Sequence, residues 1–203
     1  MITLYGSSKS RASRSLVALE ELGLTYDHIP LNPRAVLEHR EILDKLNPNS
    51  HVPVFEEDGF IVWESMAINL HLAETRGGAL WPRDARERAR VYQWTLWSQT
   101  EMDRRDWQVV RRSGNTAKLA AARAEKVAAL GILDAALADR PYLLGADFTF
   151  ADLNVATTIS QPNEMGRIDW DRLDPRELGL PALGAWLERC TARPSWLKVR
   201  DFP

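Results

Sequence analysis

The chain has 203 residues, of which 45% are hydrophobic and 27% charged, and its formal net charge is -2. A chain of this size buries a substantial core in one or two domains. Its near-neutral balance gives no global electrostatic reason to expect nucleic-acid or membrane-surface binding, and the short, interrupted basic pairs Arg104-Arg105 and Arg111-Arg112 read more easily as a solvated or interface face than as a phosphate track.

The single cysteine, Cys190, has no internal disulfide partner and no metal-ligand spacing around it, which fits a reducing compartment. The start, Met-Ile-Thr-Leu-Tyr, lacks a basic segment followed by a long apolar run, and no stretch approaches about 18 apolar residues. These features lead to the expectation of a cytoplasmic protein without a membrane span.

The apolar run Ile2–Tyr5 predicts a buried strand, and Gly6-Ser7-Ser8-Lys9-Ser10 predicts a turn. From Arg11 onward, Ala12, Leu16, Leu19 and Leu22 follow helical spacing, with Gly23 placed as a helix-terminating glycine. Residues 26–31 read as a second strand. A strand, helix and strand in this order favour a parallel pair. A helix over 35–46 ends at Asn47-Pro48-Asn49. Residues 52–56 and Phe60–Trp63 read as strands joined by Glu57-Asp58-Gly59, where Asp-Gly signals a hairpin. Ser65 is placed as the N-cap of a helix over 66–74. This order within about 75 residues matches a thioredoxin-like domain.

Beyond a linker, residues 77–85, the pattern turns helical over 86–110, 117–137, 152–159 and 183–190, with no convincing strand pair. The expected architecture is therefore α/β plus all-α: an N-terminal thioredoxin-like domain over 1–76 and a C-terminal helical-bundle domain over 86–203. Thr149-Phe150-Ala151-Asp152 fits a capping box, so Asp152→Ala is expected to cost about 0.5–2 kcal/mol as a lost cap.

Five separated segments, in order along nearly the whole chain, resemble the cytosolic glutathione S-transferase family. Ser10-Arg11-Ala12-Ser13-Arg14 with Ala18-Leu19-Glu20-Glu21-Leu22-Gly23-Leu24 resembles its first loop and helix. Asn47-Pro48-Asn49-Ser50-His51-Val52-Pro53-Val54-Phe55 is similar to its cis-proline loop. Trp63-Glu64-Ser65-Met66-Ala67-Ile68 looks like its Glu-Ser motif. Gly145-Ala146-Asp147-Phe148-Thr149-Phe150-Ala151-Asp152-Leu153 resembles the folding motif of its helical domain, and Trp186-Leu187-Glu188-Arg189-Cys190 with Arg193-Pro194 resembles a late helix. The grouping is with serine- and cysteine-type, bacterial-like members.

The resemblance implies glutathione as co-substrate, no metal, a small hydrophobic electrophile as second substrate, and a homodimer. It implies that the Val52 main chain, beside a cis Pro53, pairs with the cysteinyl part of glutathione, as in strand addition. Ser65 and the helix N-terminus would take the γ-glutamyl carboxylate, and Glu64 its ammonium. His51 and His39 are candidates for the glycyl end, where a charge would make binding pH-sensitive. Ser10 is the expected thiol-activating residue, donating a hydrogen bond to the thiolate rather than attacking. The loop also holds Ser7, Ser8, Ser13 and Ser15, and Tyr5 ends the strand before it; Ser8, Ser13 and Tyr5 remain alternatives. For the electrophile, Trp94, Trp97, Trp107 and Arg111 are candidates, with core or interface packing the usual role of such Trp residues.

The expected reaction is glutathione conjugation. Glutathione-dependent isomerisation, dehalogenation, ether cleavage or peroxide reduction on the same fold is an alternative, and a non-catalytic binding module is another. The first loop has no cysteine, which argues against a glutaredoxin-like reductase.

Overall fold

The computed structural model describes residues 1–32, 37–102, 113–160 and 174–202. The N-terminal half runs β1 (Ile2–Tyr5), α1 (Ala12–Glu21), β2 (Tyr26–Ile29), α2 (Leu37–Leu46), β3 (Val54–Glu57), β4 (Phe60–Trp63) and α3 (Ser65–Arg76). The sheet order is β2-β1-β3-β4; β1 pairs parallel with β2 and antiparallel with β3, and β3 forms the hairpin with β4. The hairpin turns at Asp58 and Gly59, both at positive φ (51° and 85°), which is the backbone an Asp-Gly pair favours.

Strand alternation sends side chains to two cores. Leu4 and Phe55 join the main core with Leu16, Leu19, Ile68 and Leu72 of α1 and α3. Tyr5 and Val54, one residue along, pack with Leu31 and Leu43 under α2. This period of two is what strand geometry imposes. α1 ends as its sequence predicts: Gly23, at φ 61°, donates to the Glu20 carbonyl while the Leu24 amide donates to Leu19, both at 3.1 Å, in a Schellman arrangement.

The C-terminal half contains α4 (Ala85–Trp97), a π-helical turn (Ser98–Met102), α5 (Thr116–Ala136), α6 (Phe150–Ile159), α7 (Pro181–Thr191) and α8 (Pro194–Arg200). Among the described residues it has no strand, only an isolated bridge between Tyr142 and Gly145. Among the described residues no helix is long and apolar enough to cross a membrane. The helix expected over 86–110 is α4 followed by the π-helical turn; Trp107, Arg111, both basic pairs and the first residues of the helix expected over 35–46 lie outside the described residues. α8 is an element that the sequence reading did not separate: Pro194 opens it, as proline commonly opens a helix.

Two differences from expectation have physical causes. Ser65 is not an N-cap but the first residue of α3; Glu64 is the cap, because the Ile68 amide donates to its carbonyl at 3.0 Å, and neither side chain caps the helix. Asp152 does more than close a capping box. Its Oδ2 accepts from the Thr149 amide (3.0 Å) and hydroxyl (3.1 Å), and its Oδ1 accepts from the Leu143 amide (2.8 Å) and Trp186 Nε1 (2.9 Å). The carboxylate is fully buried, and burial raises its pKa against the opposing pull of these donors.

Removing this acceptor strands several buried donors at once, and each costs about 1–3 kcal/mol when left unpaired. Asp152→Ala is therefore expected to lose about 3–5 kcal/mol in urea unfolding, more than a lost cap alone. A loss below about 1 kcal/mol would show that the site relaxes or admits water.

Candidate functional site

Three segments converge where β1 ends. The loop 6–11 leaves the sheet after the Gly6 amide donates to Ile29 (2.8 Å) and the Ser7 amide to Leu31 (3.1 Å). It then turns into α1, with the Ser10 amide on the Ser7 carbonyl (3.0 Å) and the Ser13 amide on the Ser10 carbonyl (3.1 Å). Gly6 sits at φ 134°, and a Cβ there would lie 2.7 Å from the Ala12 Cβ and 2.9 Å from the Val52 Cβ. Only a residue without a side chain lets the start of α1 and the loop carrying Val52 approach this closely.

The second segment contains a cis Val52-Pro53 bond. Asn47 organises its approach: its Nδ2 donates to the His51 carbonyl (2.8 Å) and its Oδ1 accepts the Asn49 amide (2.9 Å). The Asn47 side chain is buried, whereas His51 is exposed. No hydrogen bond among the described residues engages the Val52 main chain.

The third segment is the start of α3. Glu64 is exposed at φ 74°, a conformation that costs a non-glycine residue about 1–3 kcal/mol. The first amides of α3 precede the first intrahelical bond and have no capping side chain, so they are available to an anion. Ser65 is buried, its carbonyl accepts the Ser15 hydroxyl (3.4 Å), and its own hydroxyl has no partner among the described residues. The Ser15 bond ties α1 to α3, and Gly6 ties α1 to the Val52 loop.

The serine candidates differ sharply in their surroundings. The Ser10 hydroxyl donates to the Ser7 carbonyl at 2.7 Å and accepts the Ala12 amide at 3.1 Å. Ser13 donates to the Ser10 carbonyl (2.9 Å) and Ser8 to the Phe202 carbonyl (2.8 Å); both are buried. Ser10 alone of these three is partly exposed. Tyr5 donates to Glu56 at 2.8 Å, and burial together with this bond raises its pKa, so its proton is already used. His39 Nδ1 accepts the Asn32 amide at 2.9 Å, which leaves Nε2 as its donor. No hydrogen bond among the described residues joins His39 or His51 to Ser10, Glu64 or Ser65. Trp94 and Trp97 meet edge to face, with ring centroids 5.3 Å apart, and pack half-buried against the main core.

Sequence reasoning missed Gly6, Asn47 and His28. His28 Nε2 donates to the Gly6 carbonyl at 2.8 Å. Asn47 carried a usable signal in Asn-Pro-Asn, whose first side chain is suited to closing an Asx-type turn. Gly6 had a weaker one, and His28 had none, because its role depends on strand pairing.

The architecture and this junction define a two-domain protein with a thioredoxin-like half followed by a helical half. The family models described as glutathione S-transferase, N-terminal domain, and glutathione S-transferase, C-terminal domain, match residues 1–74 and 102–194. Glutathione S-transferase GstB of Escherichia coli K12 is 30% identical over 214 aligned positions, covering 100% of this chain and 99% of that protein. A glutathione S-transferase of Hyoscyamus muticus is 29% identical, covering 98% and 97%. The crystal structure of the theta class glutathione S-transferase from Xanthomonas axonopodis pv. citri with glutathione bound superimposes with a TM-score of 0.78 at 30% identity, covering 98% and 97%. The chain belongs to the cytosolic glutathione S-transferase family.

Gly6→Ala is expected to force the α1 and Val52 segments apart by a few tenths of an ångström and to strain the backbone. Stability should fall by about 1–3 kcal/mol and glutathione affinity should fall with it, read by urea unfolding and calorimetry on the same preparation. An unchanged affinity would separate this junction from the ligand site.

Proposed function

We propose that the chain is a glutathione transferase that holds glutathione along the Val52 edge and stabilises its thiolate at the start of α1 for attack on a small apolar electrophile. The observation that carries this reading is the convergence, around Gly6, of an unengaged Val52 main chain beside a cis proline and an uncapped helix whose first residue is Ser65. Val52 pairs with the cysteinyl segment. The α3 amides and the Ser65 hydroxyl take the γ-glutamyl carboxylate, and Glu64 takes its ammonium. His51 and the Nε2 of His39 serve the glycyl carboxylate.

Ser10 is the activating residue in this reading. Its hydroxyl must turn from the Ser7 carbonyl to the sulfur. That gives up a neutral hydrogen bond worth about 0.5–1.5 kcal/mol for one to a charged acceptor worth about 1.5–3 kcal/mol, so the exchange favours the thiolate. The same rotation releases the Ala12 amide, a second donor, at the helix N-terminus. A free thiol titrates near 8.5, and these donors lower that value. The thiolate sulfur then forms a bond to the electrophilic carbon, and the leaving group departs with its electron pair. Proximity supplies the rest of the rate.

The family's cytosolic membership and the single cysteine support a cytoplasmic setting. A homodimer is supported by the edge strand β4, whose Phe60, Ile61 and Trp63 are exposed.

Calorimetry with glutathione on the wild type, Ser65→Ala and Ser10→Ala tests the assignment, with the ultraviolet thiolate absorbance followed in parallel. Ser65→Ala is expected to bind about tenfold more weakly, as loss of about 1.4 kcal/mol predicts. Ser10→Ala is expected to keep binding and lose the thiolate signal. An unchanged thiolate signal in Ser10→Ala would move activation to another group, and a folded wild type that binds no glutathione would overturn the reading.

A further inference from the structure

The loop carrying Ser10 is held from outside its own domain, by the chain beyond α8. α8 lies along α1 and is fastened there by three side chains. Arg193 grips both carboxylate oxygens of Glu21 at 2.7 Å, Ser195 donates to Glu21, and Lys198 pairs with Glu20 at 2.7 Å. The Arg193 guanidinium also lies 3.9 Å over the Phe148 ring, which anchors α8 to the helical half.

This docking delivers Phe202 to the loop in two ways at once. Its carbonyl accepts the buried Ser8 hydroxyl at 2.8 Å. Its ring stacks on His28, with centroids 5.5 Å apart and planes at 29°. His28 in turn donates to the Gly6 carbonyl at 2.8 Å. Gly6, just before the tight Ser7–Ser10 turn, and Ser8, within it, are thus both restrained from one residue.

We propose that Phe202, acting through His28 and Ser8, is a positioning element that sets the loop for thiolate stabilisation by Ser10. The proposal rests on the reading of the site given above. A loose loop keeps its contacts to the peptide part of glutathione, which Val52 and α3 supply. It loses the alignment of the Ser10 hydroxyl and the Ala12 amide, on which the thiol pKa depends. The signature is a shift in the pH profile rather than a loss of binding.

The test uses the full chain, glutathione and 1-chloro-2,4-dinitrobenzene as the electrophile. Phe202→Ala removes the ring and keeps the carbonyl, Ser8→Ala removes only the hydroxyl bond, and Phe202→Tyr restores the ring. The pKa of bound glutathione, read from thiolate absorbance and from the pH dependence of kcat/KM, is expected to rise by about one unit in Phe202→Ala, a tenfold loss of thiolate below the pKa. Ser8→Ala should raise it in the same direction, Phe202→Tyr should return it to the wild-type value, and the calorimetric affinity should change less than threefold. An unshifted pH profile in both Phe202→Ala and Ser8→Ala overturns the proposal, as does a loss confined to affinity. If the wild type itself binds glutathione without thiolate, the reading of the site fails first, and that result is visible before any variant is compared.

Discussion

The structure depends on the burial of α1 on all sides. Eight consecutive residues, Ala12 through Leu19, are removed from solvent, and three of them are polar. A helix can be buried this way only if its polar side chains are answered by its neighbours. Ser13 returns to the Ser10 carbonyl, Ser15 reaches Ser65, and Arg14 Nε donates to the Thr157 carbonyl of α6 at 3.3 Å. α1 therefore has little freedom to slide or rotate, and the loop before it inherits a fixed floor. The loop that carries Ser10 is set by a helix that touches α3, α6 and α8 together.

The joint between the two halves is polar at its centre. Asn69 of α3 donates to Asn154 of α6 at 2.9 Å, and Asn154 donates to Thr95 of α4 at 2.9 Å, all three fully buried. Apolar residues from both halves surround this chain in one continuous core that runs from Leu4 to Trp186. Apolar contact supplies most of the driving force between the halves, while the amide chain has only one register in which its donors and acceptors meet. The helical half is thereby held in one position relative to the edge where Val52 and Ser65 lie.

Most of the fold was legible because its signals are local. Strand alternation, the Asp-Gly hairpin, Gly23 and the Thr149–Asp152 box each act within a few residues, and each stands where the sequence places it. Ser65 was misread as a cap because serine before an apolar run is the usual cap signal, whereas here the chain turns one residue earlier, at Glu64, into a backbone conformation that no pattern announces. The weight on Asp152 was underestimated for a related reason: the Leu143 amide comes to it from the loop before α6 and Trp186 from α7, 34 residues along the chain, and neither lies within the capping motif. In the site, Val52-Pro53 and Glu64-Ser65 could be nominated from motifs. The hydrogen bonds that distinguish Ser8, Ser10 and Ser13 could not, because one of them comes from residue 202.

Cys190, the chain's single thiol, is fully buried on α7, and its burial pushes its pKa well above the ordinary value. A protonated, enclosed sulfur is inert towards alkylating agents and disulfides alike. A protein in this family that brings reactive carbon to a nucleophilic sulfur thus carries no competing nucleophile of its own kind on its surface. It is spared self-alkylation, and it cannot be trapped as a mixed disulfide with oxidised glutathione while folded. In the native state, any thiol that reacts with a reagent is therefore the tripeptide's and not the protein's, so the protein is a silent background in a thiol assay.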